Sequence, residues 1–230
     1  MKVKDSARQH LLSIYEKYGS EIAIETARAS LTIPKGVGTD FKPQFNGEIC
    51  ETVLEIVLKE LCKRNKQWFY LKSVILPDTE TLSDFLTEID FVFFTESCIY
   101  CIECKSYAGN KTIINEGTVV LKDGKKRDVY KQNLLHLEVL SKLLNGFSKS
   151  PEYKIVFFNF STGTVNDRRN QEWKKRFLLV DEKTFFTVLD EGTAVWDLEG
   201  LRRAAPKIEK FSQKNRDRHL AYVKSKHGGD

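Results

Sequence analysis

The sequence predicts an α/β fold: a mixed β-sheet flanked by helices, with further helices at both ends. Three observations predict it. An amphipathic helical stretch precedes three successive strand-like runs, a second amphipathic helix follows them, and the near-continuous apolar run from Tyr153 to Phe160 then reads as a strand buried on both faces. At 230 residues, 41% hydrophobic and 30% charged, the chain suits one compact unit with a sizeable core.

Taken in order, Leu11, Leu12, Ile14, Tyr15 and Tyr18 recur at helical spacing between Ser6 and Tyr18. Gly19-Ser20 separates them from a second helical stretch, Glu21 to Ala29. Ile33 to Phe45 contains Pro34, Gly36, Gly38 and Pro43 and is expected to be a loop bordering the site. Asn46 is the expected N-cap of a helix from Gly47 to Lys63. Its Cys50, Val53, Leu54, Val57, Leu58 and Leu61 form a broad apolar stripe, with Glu48, Glu51, Thr52 and Glu55 on a neighbouring face. Gln67 to Leu76 reads as a strand ended by Pro77-Asp78, and Thr79 to Asp84 as a polar connection.

Thr87 to Phe94 and Ile99 to Lys105 are aromatic and β-branched runs joined by Thr95-Glu96-Ser97, the pattern of a β-hairpin. Charges nevertheless sit inside both strands. Alternation puts Glu103 and Lys105 on one face, and a turn centred between Glu96 and Ser97 sets Asp90 opposite Glu103 and Glu88 opposite Lys105. Directly opposed side chains lie about 4.5–5.5 Å apart at Cβ, close enough for Asp90 and Glu103 to share one hard cation. A slip of one residue would destroy the arrangement. Two readings follow from the residues alone: a metal site, or a solvated face balanced by ion pairs with Lys105.

Beyond the hairpin, Gly109-Asn110 and the turn Lys122-Asp123-Gly124-Lys125 bracket Thr112 to Leu121, expected as a further hairpin at the sheet edge. Lys122, Lys125, Lys126, Arg127 and Lys131 form the densest basic cluster, either a solvated turn or a contact for a phosphate backbone. Asp128 to Leu144 reads as an amphipathic helix in which Gln132 and His136, four apart, share a face. Phe177 to Val180 reads as one more strand, and Leu201 to Val223 as a basic helix that either lies along nucleic acid or only keeps the surface charged.

Asp90 followed by Glu103-Cys104-Lys105 on the next strand resembles the PD-(D/E)xK nuclease superfamily. The finer resemblance is to the nuclease-related domain, NERD, carried by Gly47-Glu48, Glu88-Ile89-Asp90, Glu103-Cys104-Lys105 with Gly109, and Gln132 with His136 over roughly Phe45 to Phe160. The order of elements gives a restriction-endonuclease-like core at 45–190, and helical spacing adds a helical extension at 1–44 and a basic helical one at 191–230, all in one compact unit. The resemblance implies a Mg²⁺- or Mn²⁺-dependent nuclease acting on nucleic acid, DNA before RNA. Asp90, Glu103 and the carbonyl of Cys104 would hold the metal, joined by a helix acid. The family's frequent Gly-x-x-Gly-Glu pattern favours Glu51, with Cys50 where a glycine is common, but Glu48 stays open. Lys105 would act on water and phosphate. Gln132 and His136 would border the site and orient water or phosphate; on the second reading of the basic cluster, Lys125, Lys126, Arg127 and Lys131 would touch nucleic acid. The contrasting expectation is a silent module that keeps the fold and binds nucleic acid or a protein partner.

A net charge of +5 permits nucleic-acid binding without demanding it. No apolar run approaches the ~20 residues of a membrane span, and the polar start lacks the apolar segment of a signal peptide, so the cytoplasm is the expected location. Five cysteines without an export signal point to reduced thiols. On a strand Cys101 faces away from Cys98 and Cys104, which argues for buried hydrophobes rather than a metal knuckle.

Overall fold

The computed structural model describes residues 4–32, 42–77, 86–144, 152–189 and 197–227. In chain order the elements are α1 (Lys4–Tyr18), α2 (Ser20–Thr32), α3 (Lys42–Arg64), β1 (Phe69–Pro77), β2 (Leu86–Phe94), β3 (Cys98–Lys105), β4 (Lys111–Ile113), β5 (Thr118–Leu121), β6 (Lys126–Asp128), α4 (Val129–Leu144), β7 (Glu152–Asn159), β8 (Val165–Asp167), α5 (Gln171–Arg176), β9 (Phe177–Val180) and α6 (Leu198–His227). The fold is mixed α/β with two sheets, ordered β1-β2-β3-β7-β9 and β6-β5-β4-β8. The chain groups into two compact units, each assembled from separated stretches.

The first unit comprises Met1–Asn65, Cys104–Tyr130 and Phe157–Leu189. Gly19 ends α1 at φ +90°, where its N–H donates to the carbonyl of Tyr15, a left-handed helix stop that glycine adopts without strain. Tyr15, Ala23 and Ile56 form a small core where α1, α2 and α3 meet. With α1 and α2 on one side, α3 buries far more than a stripe: Ile49, Val53, Ile56 and Val57 are enclosed, but so are Thr52 and Glu55.

The start of α3 departs from expectation. The helix begins at Lys42 rather than after Asn46, so residues 42–45 are helical and Asn46 is a buried residue inside α3, not its cap. Pro43 is no obstacle, because a proline in the first helical turn has no missing intrahelical bond to lose. The rest of the expected loop, like the expected connection from Thr79 to Asp84, lies outside the described residues.

The run from Thr112 to Leu121 is a hairpin, but it belongs to the second sheet. β4 pairs antiparallel with β5 and β5 with β6, while β8 joins β4 in parallel, setting Lys111 beside Val165 and Ile113 beside Asp167. Its parallel partner arrives more than fifty residues later, so no local pattern announces the sheet. β8 and α5 have no counterpart in the sequence reading. α5 is capped by Asn170, whose side chain accepts from the N–H of Trp173.

The second unit comprises Lys66–Glu103, Lys131–Val156 and Asp190–Asp230. β1 and β2 pair antiparallel, as do β2 and β3. Val92, Phe94, Ile99 and Cys101 share a core with Val139, Leu140 and Leu144 of α4 and Leu198, Leu201 and Ala205 of α6. Against this unit α6 buries Leu198, Leu201, Ala205, Ser212 and His219, a stripe at helical spacing that turns from apolar to polar halfway along. Ser212 Oγ accepts from the N–H of Ile75 at 3.0 Å, so α6 satisfies a donor on edge strand β1. Among the described residues no helix is long and apolar enough to cross a membrane.

Candidate active site

The β2–β3 register follows from the hairpin turn. Phe94 pairs with Ile99, Phe93 with Tyr100, Val92 with Cys101 and Phe91 with Ile102. Continued one step beyond the last of these pairs, the same register would bring Asp90 level with Glu103. Strand alternation then places Asp90 and Glu103 on the face that carries Val92 and Cys101. Burial first, then the charges of Glu103 and Asp90, push the Cys101 thiol well above its ordinary range, so both carboxylates act on one point of that face.

The other side of β2 holds a feature that the sequence does not signal. β1 pairs Lys72 with Phe91 and Val74 with Ile89, which leaves Ser73 opposite Asp90, and there Ser73 takes φ +52°. A left-handed serine in the middle of a strand is strained, and such strain gathers where a side chain must be aimed. The ladder is interrupted beside Asp90 and regular on both sides of it.

Helix α4 supplies the surroundings of Glu103. Gln132 Nε2 donates to Glu103 Oε1 at 2.8 Å, and His136 Nδ1 lies 3.6 Å from Glu103 Oε2. Glu103 and His136 are both buried. Gln132 and His136, expected to border the site, therefore reach the carboxylate itself, where an amide donor fixes one oxygen and an imidazole faces the other. Two residues before Asp90, Glu88 Oε2 lies 3.2 Å from Nε2 of His219 on α6. Nothing in the sequence linked His219 to this strand; a histidine on the buried stripe of a basic helix was the available signal.

The remaining named residues, Lys131 apart, belong to the first unit. Cys104 and Lys105 end β3, with Cys104 buried and Lys105 half-buried. Glu48 Oε1 accepts from the backbone N–H of Arg8 at 3.4 Å. One turn on from Glu51, Glu55 receives the Arg8 guanidinium through Nε at 3.1 Å and Nη2 at 2.8 Å, with Lys59 Nζ at 3.6 Å. Part of the acidic face of α3 is thus covered by α1 and neutralised by Arg8, which the sequence reading did not single out. Lys125 pairs with Asp123 at 3.0 Å in an exposed turn. Lys126 and Arg127 are exposed on β6, and Lys131 is exposed on α4 in the second unit.

The five cysteines form no disulfide among the described residues, and all but the half-buried Cys62 are buried. Among the described residues no group of three or more His, Cys, Asp and Glu is placed to hold a metal ion.

Residues 45–159, half of the chain, match the family model of the nuclease-related domain. No curated protein and no solved structure matches the chain.

Proposed function

Because the chain belongs to the nuclease-related domain family, we propose that it is a Mg²⁺- or Mn²⁺-dependent nuclease that hydrolyses phosphodiester bonds, with DNA as its substrate and the cytoplasm as its location. The observation that carries this reading is the β2–β3 register, paired as far as Phe91 with Ile102, which continued one step brings Asp90 level with Glu103, with Lys105 two residues beyond on the same strand. Two opposed carboxylates are unfavourable in an apolar sheet unless a cation joins them.

The residues fit such an ion. Magnesium is commonly held by one or two carboxylates together with water and substrate phosphates, not by an all-protein cage. Asp90 and Glu103 would hold it, with the carbonyl of Cys104; the helix acid, Glu51 or Glu48, is the further candidate that the family resemblance supplies. Such an ion lowers the pKa of a bound water and polarises the phosphoryl oxygen. Gln132 and His136 keep the Glu103 carboxylate in one orientation, as partners behind a ligand do. The Lys105 ammonium orients water and offsets charge on the phosphate as the bond breaks. Lys125, Lys126, Arg127 and Lys131 would contact the nucleic-acid backbone.

The test is cleavage of single-stranded, duplex and branched DNA and of RNA with Mg²⁺, Mn²⁺ or EDTA. Cleavage with metal and none in EDTA is expected. Unchanged cleavage in EDTA sinks the metal mechanism, and no cleavage of any substrate moves the reading to a binding module. Asp90→Asn and Glu103→Gln should lose cleavage while keeping metal-free stability. They should also lose the Mn²⁺-induced stabilisation, which for wild type is about 2.7 kcal/mol at a hundredfold excess over the dissociation constant. Lys105→Ala should keep that stabilisation and lose cleavage. If all three variants melt far below wild type without metal, the residues are a structural ion-pair network.

A further inference from the structure

Lys111 opens β4 and is 3% exposed. Its ammonium donates to Ser161 Oγ at 2.7 Å and, more weakly, to the carbonyl of Thr162 at 3.4 Å. An ammonium has three donors. Among the described residues no carboxylate pairs with it, and both acceptors are neutral. Desolvation accordingly lowers its pKa to about 8.

The surroundings are built rather than loose. Lys111 N–H donates to the carbonyl of Thr164 at 3.0 Å, Thr164 N–H to Asn110 Oδ1 at 3.1 Å, and Ser161 Oγ to Asn159 Oδ1 at 3.1 Å. Gly163, at φ +85°, comes so close to Gly109 that a Cβ there would lie 2.4 Å from the Gly109 carbonyl carbon. Two loops are clamped together over a buried positive charge. Ser161 and Thr162 are half-buried and Gly163 is exposed, so this loop is the side from which the charge is reached.

An unpaired buried charge is costly, and chains that keep one pair it or neutralise it. Here the missing partner is an anion, and the donors that would meet it are the ammonium and the Ser161 hydroxyl, which must turn from Asn159 Oδ1 as the anion enters. That set matches the oxygens of a tetrahedral oxyanion and not a planar carboxylate fork, for which a guanidinium is the better partner. We propose that Lys111, with the Ser161 hydroxyl, forms a binding site for a phosphate group. The site stands on its own geometry; if the nuclease reading is right, the phosphate belongs to a nucleic-acid backbone.

The experiment is thermal unfolding of wild type, Lys111→Met and Ser161→Ala in inorganic phosphate and in chloride at matched ionic strength, followed by titration with a short single-stranded oligodeoxynucleotide. Phosphate should raise the wild-type melting temperature saturably. Ser161→Ala should weaken that response and Lys111→Met should abolish it, and the Lys111→Met protein in chloride should melt no lower than wild type. Oligonucleotide affinity should fall at least tenfold in Lys111→Met if the backbone is the source, and stay unchanged if free phosphate is. An undiminished phosphate response in Lys111→Met overturns the proposal. Should that variant not fold, the Lys111 ammonium resonance of wild type decides: a saturable shift with phosphate supports the site, and an unmoved resonance overturns it. A protein that cleaves nucleic acid while Lys111→Met keeps the wild-type phosphate response loses this site and keeps the nuclease reading. One that binds phosphate through Lys111 and cleaves nothing does the reverse.

Discussion

Arg169 and Lys111 are buried cations of the same unit, both attached to the four-stranded sheet, one just past β8 and the other at the start of β4. Arg169 is neutralised on the spot: Asp167 takes its Nε and Nη2 at 2.8 Å each, and the carbonyl of Phe177 takes Nη1. Burial raises the Asp167 carboxyl, but the hydrogen bonds and charge of Arg169 outweigh it and hold the group below its ordinary range. Lys111 has hydroxyl and carbonyl oxygens instead. The difference separates two uses of a buried charge. A pair closed within the chain is a fastener, whereas a charge met only by neutral oxygens is still owed a partner.

Breaking the closed pair should have the largest effect. Asp167→Ala leaves the Arg169 guanidinium buried and uncompensated, and loss of about 3–5 kcal/mol is expected, measured by denaturant unfolding at pH 7. In wild type the same pair acts through pH. The folded-state carboxyl lies below its unfolded value of 3.8, so its contribution is complete above that value and disappears as pH falls through the folded pKa. The Asp167→Ala protein should lack that part of the acid sensitivity.

The open charge should act with the opposite sign. Lys111 titrates near 8 in the folded protein against 10.5 unfolded, so between those values the unfolded chain holds more protons and stability rises with pH. The rise attributable to this group is at most about 3 kcal/mol, at about 1.4 kcal/mol per pKa unit and reduced by solvent screening of the ammonium. It should appear as the difference between wild type and Lys111→Met across pH 8 to 10.5, and shrink in phosphate. A flat difference would mean that the ammonium already has a counter-charge, and the contrast with Arg169 would collapse.

The smallest expected effect sharpens the contrast by moving only the loop. Gly163→Ala puts a methyl group against Gly109 at a positive φ, an overpacking that costs about 1–3 kcal/mol. It should weaken the phosphate response through displaced Ser161 and Thr162 while leaving Asp167–Arg169 intact. Comparing its melting temperature and phosphate response with those of Ser161→Ala checks this.

Two buried carboxylates differ in the partners that they meet. Glu55 meets the guanidinium of Arg8, whereas Glu103 meets a carboxamide and an imidazole. By sequence the two look alike, since each is an acid inside an apolar element. Their partners come from elsewhere in the chain.

What the sequence determined by itself is what periodicity and short turns encode. The hairpin centred between Glu96 and Ser97 pairs Phe94 with Ile99 and Phe91 with Ile102 because strand alternation and a tight turn select that register. Helical spacing puts Gln132 and His136 on one face of α4 for the same local reason. The ordered blocks from Gly47 to His136 were enough to place the chain in its family. Only the tertiary structure decided that Gln132 and His136 meet Glu103, that Arg8 covers the acids of α3, that Ser73 strains opposite Asp90, and that Lys111 is buried at all. A lysine opening a three-residue strand carries no sign of burial, since its neighbour Ser161 lies fifty residues away. Pairings at that distance are chosen by how elements pack, and packing depends on the whole set of side chains that must fill a common space.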